Sequence, residues 1–218
     1  MIKQLSGIPV EITVKNNLRS VRLTVTQKSK VKLSVPQGYP PEAAWAFVLS
    51  KQKWIEKCLE KHKKAPVFEI KNGAVLPIVG QTLRIEHIPG RIKSVCERSG
   101  CLMVTSDESS FVKTAENFIS EKLLTYITQR AAYYSHLTGL CFAEISISRM
   151  RSKWGQCNID KQSMKFSLNL AFMPTDAVDY VVLHEIAHLR HARHDKSFYG
   201  YIARFMPDYK RRIKLLNP

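Results

Sequence analysis

Four of the chain's seven histidines fall within the eleven residues from His184 to His194. His184-Glu185-Ile186-Ala187-His188 reads H-E-x-x-H, and that spacing has a chemical meaning. Residues four apart on an α-helix share a face about one turn apart, so two imidazoles can hold one metal ion. Glu185 follows the first histidine directly, where its carboxylate can take a proton from a water activated by the ion. Zinc brings the pKa of such a water from about 15.7 towards 7, so a carboxylate is a sufficient general base near neutrality.

A catalytic zinc has three protein ligands and an open position. His191 and His194 are the candidates for the third. On an unbroken helix His191 shares the face of His184 but sits about 10 Å further along the axis, too far for one ion. His194 lies off that face and reaches the ion only if the helix ends near 190–193 and the chain folds back. Metzincin proteases span the same interval with a glycine at the turn. Here His191 occupies that position, so the turn must be made another way. His194 is the preferred third ligand, with His191 the alternative.

The elements that must position these residues are legible around them. Thr175 and Asp176 after Pro174 form a plausible helix start, with the acid placed well against the helix dipole. Val178, Val181, Val182, Ile186 and Leu189 recur at helical spacing beside the metal face. Upstream, Ile145–Ile147 and Met164–Leu170 alternate as strands that could close a hairpin. Between them runs the basic loop containing Arg149, Arg151, Lys153 and Trp154. The strand edge could pair with an extended peptide, and the cations could hold an oxyanion or a phosphate. Alternatively the cations are solvated and Trp154-Gly155 makes a packed turn. Cys157 reads as a buried thiol rather than a ligand.

Earlier in the chain, Val10–Val14, Ser20–Thr26 and Val31–Val35 alternate and predict an antiparallel meander. A single helix is expected over Glu42–Lys63, with Trp45 and Trp54 packing and Lys61-His62-Lys63-Lys64 as its solvated end. Strands are expected at Phe68–Ile70, Ala74–Val79, Thr82–His87, Lys93–Cys96 and Leu102–Thr105. A long helix over Phe111–Leu137 then stops at Gly139. The polar turn Asp107–Ser110 marks the expected boundary between domains 1–110 and 111–218. No internal repeat is apparent.

Composition narrows the class. The 218 residues are 44% hydrophobic and 24% charged, ordinary for a globular protein. There is no apolar run of membrane-spanning length, and the start lacks the apolar core of a signal peptide. Five scattered cysteines without a C-x-x-C pair fit reduced thiols, so a cytoplasmic protein is expected. The net charge of +16 is spread over both halves, with 18 Lys/Arg against 9 Asp/Glu through residue 110 and 16 against 9 beyond it. Such a field attracts nucleic acid or anionic substrates, although many basic proteins have no such partner.

The combination of R-x-R-x-K-W-G-x-C over Arg149–Cys157, a strand ending Leu168-Asn169-Leu170, and P-x-D-x-V-D-Y-V-V-x-H-E-x-A-H-L over Pro174–Leu189 resembles the YgjP-like metallopeptidases, relatives of the SprT-like zinc peptidases. The likeness continues through His194 to Tyr199 and Pro207–Arg212. It extends into the amino-terminal half through Val35-Pro36 and Trp54-Ile55. Lys153, Gln156 and Tyr199 stand where the family usually has arginine, serine and tryptophan. The resemblance implies zinc held by His184, His188 and His194, with Glu185 as the catalytic acid/base. The fold expected is α+β: an antiparallel-strand-rich amino-terminal half, and a zincin-like carboxy-terminal half whose H-E-x-x-H helix packs on a small sheet. The function expected is a zinc-dependent, peptidase-type hydrolase, a monomer by default. Two alternatives stand beside it: a metal-dependent pyrophosphatase acting on nucleoside triphosphates at the same site, and a basic nucleic-acid-associated protein with a structural zinc.

Overall fold

The computed structural model describes residues 2–26, 30–64, 68–150 and 153–216, with backbone alone at 61–64. Arg151 and the side chains of the Lys61–Lys64 run therefore lie outside the described residues. The fold is α+β, and the chain divides into two compact units, Met1–Pro66 and Val67–Pro218.

In the first unit, strands β1 (Ile2–Leu5), β2 (Ile8–Lys15), β3 (Arg22–Val25) and β4 (Val31–Pro36) form a sheet in the order β1-β2-β4-β3. β2 and β4 run parallel, so the sheet is not the expected meander. The reason lies in side-chain content. β4 points Val31, Leu33 and Val35 into the core and takes a central position, whereas the short β3, carrying exposed Arg22, goes to the edge. The expected single helix is two, α1 (Pro41–Ser50) and α2 (Gln52–Lys64), separated at Lys51. Ala44, Val48 and Ile55 from these helices close the core over Leu5, Val10 and β4. Trp45 packs against this core, but Trp54 is 46% exposed and does not.

The second unit begins with β5 (Val75–Ile78), β6 (Gln81–Pro89), β7 (Ser94–Arg98) and β8 (Cys101–Ser106), ordered β5-β6-β8-β7 with β6 and β8 parallel. This repeats the strand order and directions of the first sheet. The opening hairpins also match. Ser6-Gly7 and Val79-Gly80 both turn with positive φ at two successive residues, the conformation a two-residue hairpin of the primed type requires. A recurrence of topology that periodicity and composition did not reveal is thus present in the fold. Phe68–Ile70 is not a strand; Phe68 instead stacks on Phe172, ring centroids 5.0 Å apart.

Helix α3 (Phe111–Thr138) ends on Gly139, whose φ of 70° supplies the left-handed cap. Its stripe Ala115, Ile119, Leu123, Ile127 and Ala131, every fourth residue, is fully buried in one core with Ile78, Leu83, Ile85, Leu102 and Val104. The boundary expected at residue 110 therefore falls inside the second unit, because α3 completes the sheet that precedes it.

A third sheet, β10-β11-β9, is built from β9 (Glu144–Ser148), β10 (Gly155–Asn158) and β11 (Ser163–Ser167). β9 and β11 are parallel rather than a hairpin; the hairpin is β10–β11, so part of the basic loop is an edge strand. β11 ends at Ser167, whose hydroxyl accepts from the Asn169 amide and starts a 3-10 turn over Leu168–Phe172. Helix α4 (Thr175–His188) follows and is buried on almost every side, with Val178, Val182, Leu183, Ile186 and Ala187 fully enclosed. Helices α5 (Lys196–Phe205) and α6 (Tyr209–Leu215) complete the chain. Among the described residues, no helix is long and apolar enough to cross a membrane.

Candidate metal centre

Helix α4 presents His184 and His188 on one face, as their spacing predicts. The helix then stops: the amides of Leu189, Arg190 and His191 bond back to the carbonyls of Ile186 and Ala187. The chain reverses over 189–194 without a residue in the left-handed region, so no glycine is needed there. Asp195 accepts from the Phe198 amide (3.0 Å) and caps α5. His194, immediately before that cap, is thereby returned to the face of α4.

The result is a cluster. One ring nitrogen from each of His184, His188 and His194 lies within 4.8 Å of the others, and the three could hold one ion. His194 Nε2 is 2.9 Å from His184 Nε2. A tetrahedral ion with bonds of about 2.0–2.1 Å spaces its donors about 3.3 Å apart, so small shifts suffice to admit one. Phe198 forms a common floor, its centroid 4.9, 4.8 and 4.9 Å from the three rings in turn.

Outer hydrogen bonds orient the rings. His188 Nδ1–H donates to the His191 carbonyl (3.0 Å), which leaves Nε2 as the available lone pair. The Tyr180 hydroxyl and His184 Nδ1 share a bond of 3.2 Å. Burial, reinforced by the charges His188 and His194 would carry, holds His184 down to about 3. Burial also lowers His188, against the pull of the His191 carbonyl. These imidazoles are therefore neutral at physiological pH, the form that binds a metal. His191 itself is not in the cluster; its carbonyl, rather than its ring, serves the site.

Glu185 is only 4% exposed. In the metal-free chain burial raises its carboxyl to about 8, opposed by the charge of Lys153 and by the backbone N–H of Cys157; a cation held by the three imidazoles would favour the ionised carboxylate. Cys157 is pushed to about 11, first by burial and then by Glu185, so it is a neutral thiol. A cleft of about 430 Å³ brings Glu185 and the three histidines together with residues 153–157, Tyr180 and Val181. Of the basic loop, Lys153 and Trp154 line this cleft, whereas Arg149 is ion-paired to Glu116 on α3.

Tyr180, Phe198, Gly155 and the Cys157 amide were not among the expected site residues. Tyr180 was detectable, since it stands one helical turn before His184. The others depend on tertiary contact and leave no local signal.

An H-E-x-x-H pair on a buried helix, joined by a third imidazole from the following turn, defines the metallopeptidase class of metal-dependent hydrolase. Residues 19–218 match the YgjP-like metallopeptidase domain, and the chain belongs to that family. No curated protein matches the chain.

Proposed function

We propose that the protein is a zinc-dependent hydrolase of the peptidase type. The observation that carries this reading is the convergence of His184, His188 and His194 in one cleft with buried Glu185. Three imidazoles are a donor set suited to zinc. When bound, the ion supplies a Lewis acid that polarises the scissile carbonyl and acidifies water. Glu185 accepts the proton from that water on a carboxylate oxygen and returns it to the leaving amine. Tyr180 and the His191 carbonyl hold the imidazoles in orientation. The edge position of β10, which lines the cleft, supports an extended peptide as substrate. Five unpaired cysteines support a reducing, cytoplasmic setting.

Elemental analysis of the purified protein is expected to give about one zinc per chain. Glu185→Gln should keep the metal and abolish turnover of a fluorogenic peptide mixture, and His194→Ala should lose metal far more readily than His191→Ala. Absence of metal even after zinc is supplied would overturn the reading.

A second reading concerns an anionic partner. The first 66 residues carry 13 Lys/Arg against 4 Asp/Glu, and the remainder 21 against 14, so positive charge is densest in the first unit. This supports recruitment to nucleic acid, tested by salt-dependent binding to random duplex; no binding at low salt removes it. A nucleoside triphosphate as substrate has weaker support, because Lys153 is the one Lys or Arg among the described residues lining the cleft. A hydrolysis panel containing triphosphates decides that point.

A further inference from the structure

We infer that Gly155 is a positioning residue for Glu185: strand β10 leaves a side-chain-sized gap at 155, and the Glu185 carboxylate is seated in it. The inference rests on the hydrolase reading for its meaning, but on geometry for its content. A Cβ built on Gly155 would lie 2.5 Å from Glu185 Oε1, 2.7 Å from Cγ and 2.8 Å from Cδ. Contact with three successive atoms means that the body of the side chain, and not merely its tip, fills the volume a methyl group would take. Gly155 is not a turn glycine, since its φ lies outside the left-handed region. Glycine weakens a strand interior, and here the close approach of another group accounts for its presence. The glycines at 7, 38, 73, 100 and 139, in contrast, have positive φ and nothing within 4 Å of a built Cβ.

Two neighbouring positions also bear on Glu185. Lys153 supplies positive charge, Gly155 the gap, and Cys157 a backbone N–H that favours the carboxylate. The strand cannot easily recoil from an added methyl group. The Trp154 carbonyl accepts from Ser167 N–H at 2.9 Å, and Gly155 is paired in register with fully buried Phe166. Glu185 is equally confined on the rigid, enclosed α4. An alanine at 155 must therefore turn the carboxylate out of its seat while leaving the three imidazoles untouched.

The test is a double-mutant cycle on the full chain, with Gly155→Ala, Glu185→Ala and both together. Metal per chain, Tm and turnover of a fluorogenic peptide mixture are measured for each. Gly155→Ala is expected to retain wild-type metal content and to lower Tm by about 3 °C or more. It should leave Tm unchanged when Glu185 is already alanine, because the clash is then gone. Turnover should fall about 100-fold or more, the effect of misplacing a reacting group by roughly 1 Å, with the loss in kcat rather than KM. An equal fall in Tm in both backgrounds, or loss of metal from Gly155→Ala, would overturn the inference. If Gly155→Ala does not fold, folding of the double variant supports the inference and its failure overturns it. Should the wild type cleave no peptide, the hydrolase reading fails while the Tm cycle still decides the role of Gly155.

Discussion

The sheets β1–β4 and β5–β8 share a strand order, a pattern of directions and an opening hairpin, yet they serve different ends. The first is closed by two helices broken at Lys51 around an entirely apolar core. The second is closed by one unbroken helix of 28 residues, which also packs against α4. Among the described residues, both buried charged side chains, Asp179 and Glu185, lie in the second unit. So do nearly all the ion pairs among the described residues, including Arg130 with Asp179, Lys122 with Glu97, and Arg211 and Arg212 with Asp176 and Asp208, whereas the described residues of the first unit show Lys32 with Glu11 alone. One topology thus tolerates two electrostatic regimes. Where the helix must hold a reactive neighbour, charges are matched; where it only covers a sheet, the described residues show a single ion pair.

The largest effect that separates the two regions should come from Asp179→Ala. It removes the acceptor of bonds from Tyr126 (2.9 Å) and Arg130 (2.8 Å) and leaves a partly buried guanidinium without its partner. A loss of about 3–5 kcal/mol is expected, confined to the second unit when unfolding is followed by segment-resolved hydrogen exchange. If the first unit loses protection equally, the two are not independent. Ile55→Ala, in the first core, should destabilise that unit by about 2–5 kcal/mol while the metal content of the chain stays unchanged.

A smaller effect distinguishes the regions by pH. Burial raises the Glu185 carboxyl from 4.5 to about 8 in the metal-free chain. Its protonated form is thus favoured by folding, and the stability associated with it is lost as pH rises from 4.5 through about 8. Glu185→Gln abolishes that dependence, so metal-free Glu185→Gln should gain Tm over the metal-free wild type at pH 8 relative to pH 5. A constant difference across that range would show that the carboxyl is not desolvated. The smallest effect is expected from Lys32→Ala, an exposed pair with Glu11 at 2.9 Å, which should leave Tm unchanged at moderate salt.

What could be read from the chain alone follows from how local each signal is. The long helix ending at Gly139 and the pairing of His184 with His188 depend on periodicity within one element, and both appear where expected. The return of His194 also follows from chain reach, though not the means, which is the Asp195 cap rather than a glycine. Strand order was hidden because alternation in Val31–Val35 reports a buried face and not a neighbour. The same limit concealed the parallel pairing of β9 with β11. The boundary at 66/67 was missed because α3 reads as the start of something new, whereas its apolar stripe belongs to strands preceding it. Gly155 resembled a turn residue until Glu185 was placed against it.

The third imidazole comes from a different element than the first two, and this has a mechanical consequence. His184 and His188 ride on a buried helix, but His194 precedes the cap of α5, whose outer face is wet. An ion held by all three would act as a rivet between an anchored helix and a peripheral one, closing the short loop between 188 and 194. Chelation should therefore loosen the chain from the carboxy-terminal side first, fraying α5 while α4 remains folded.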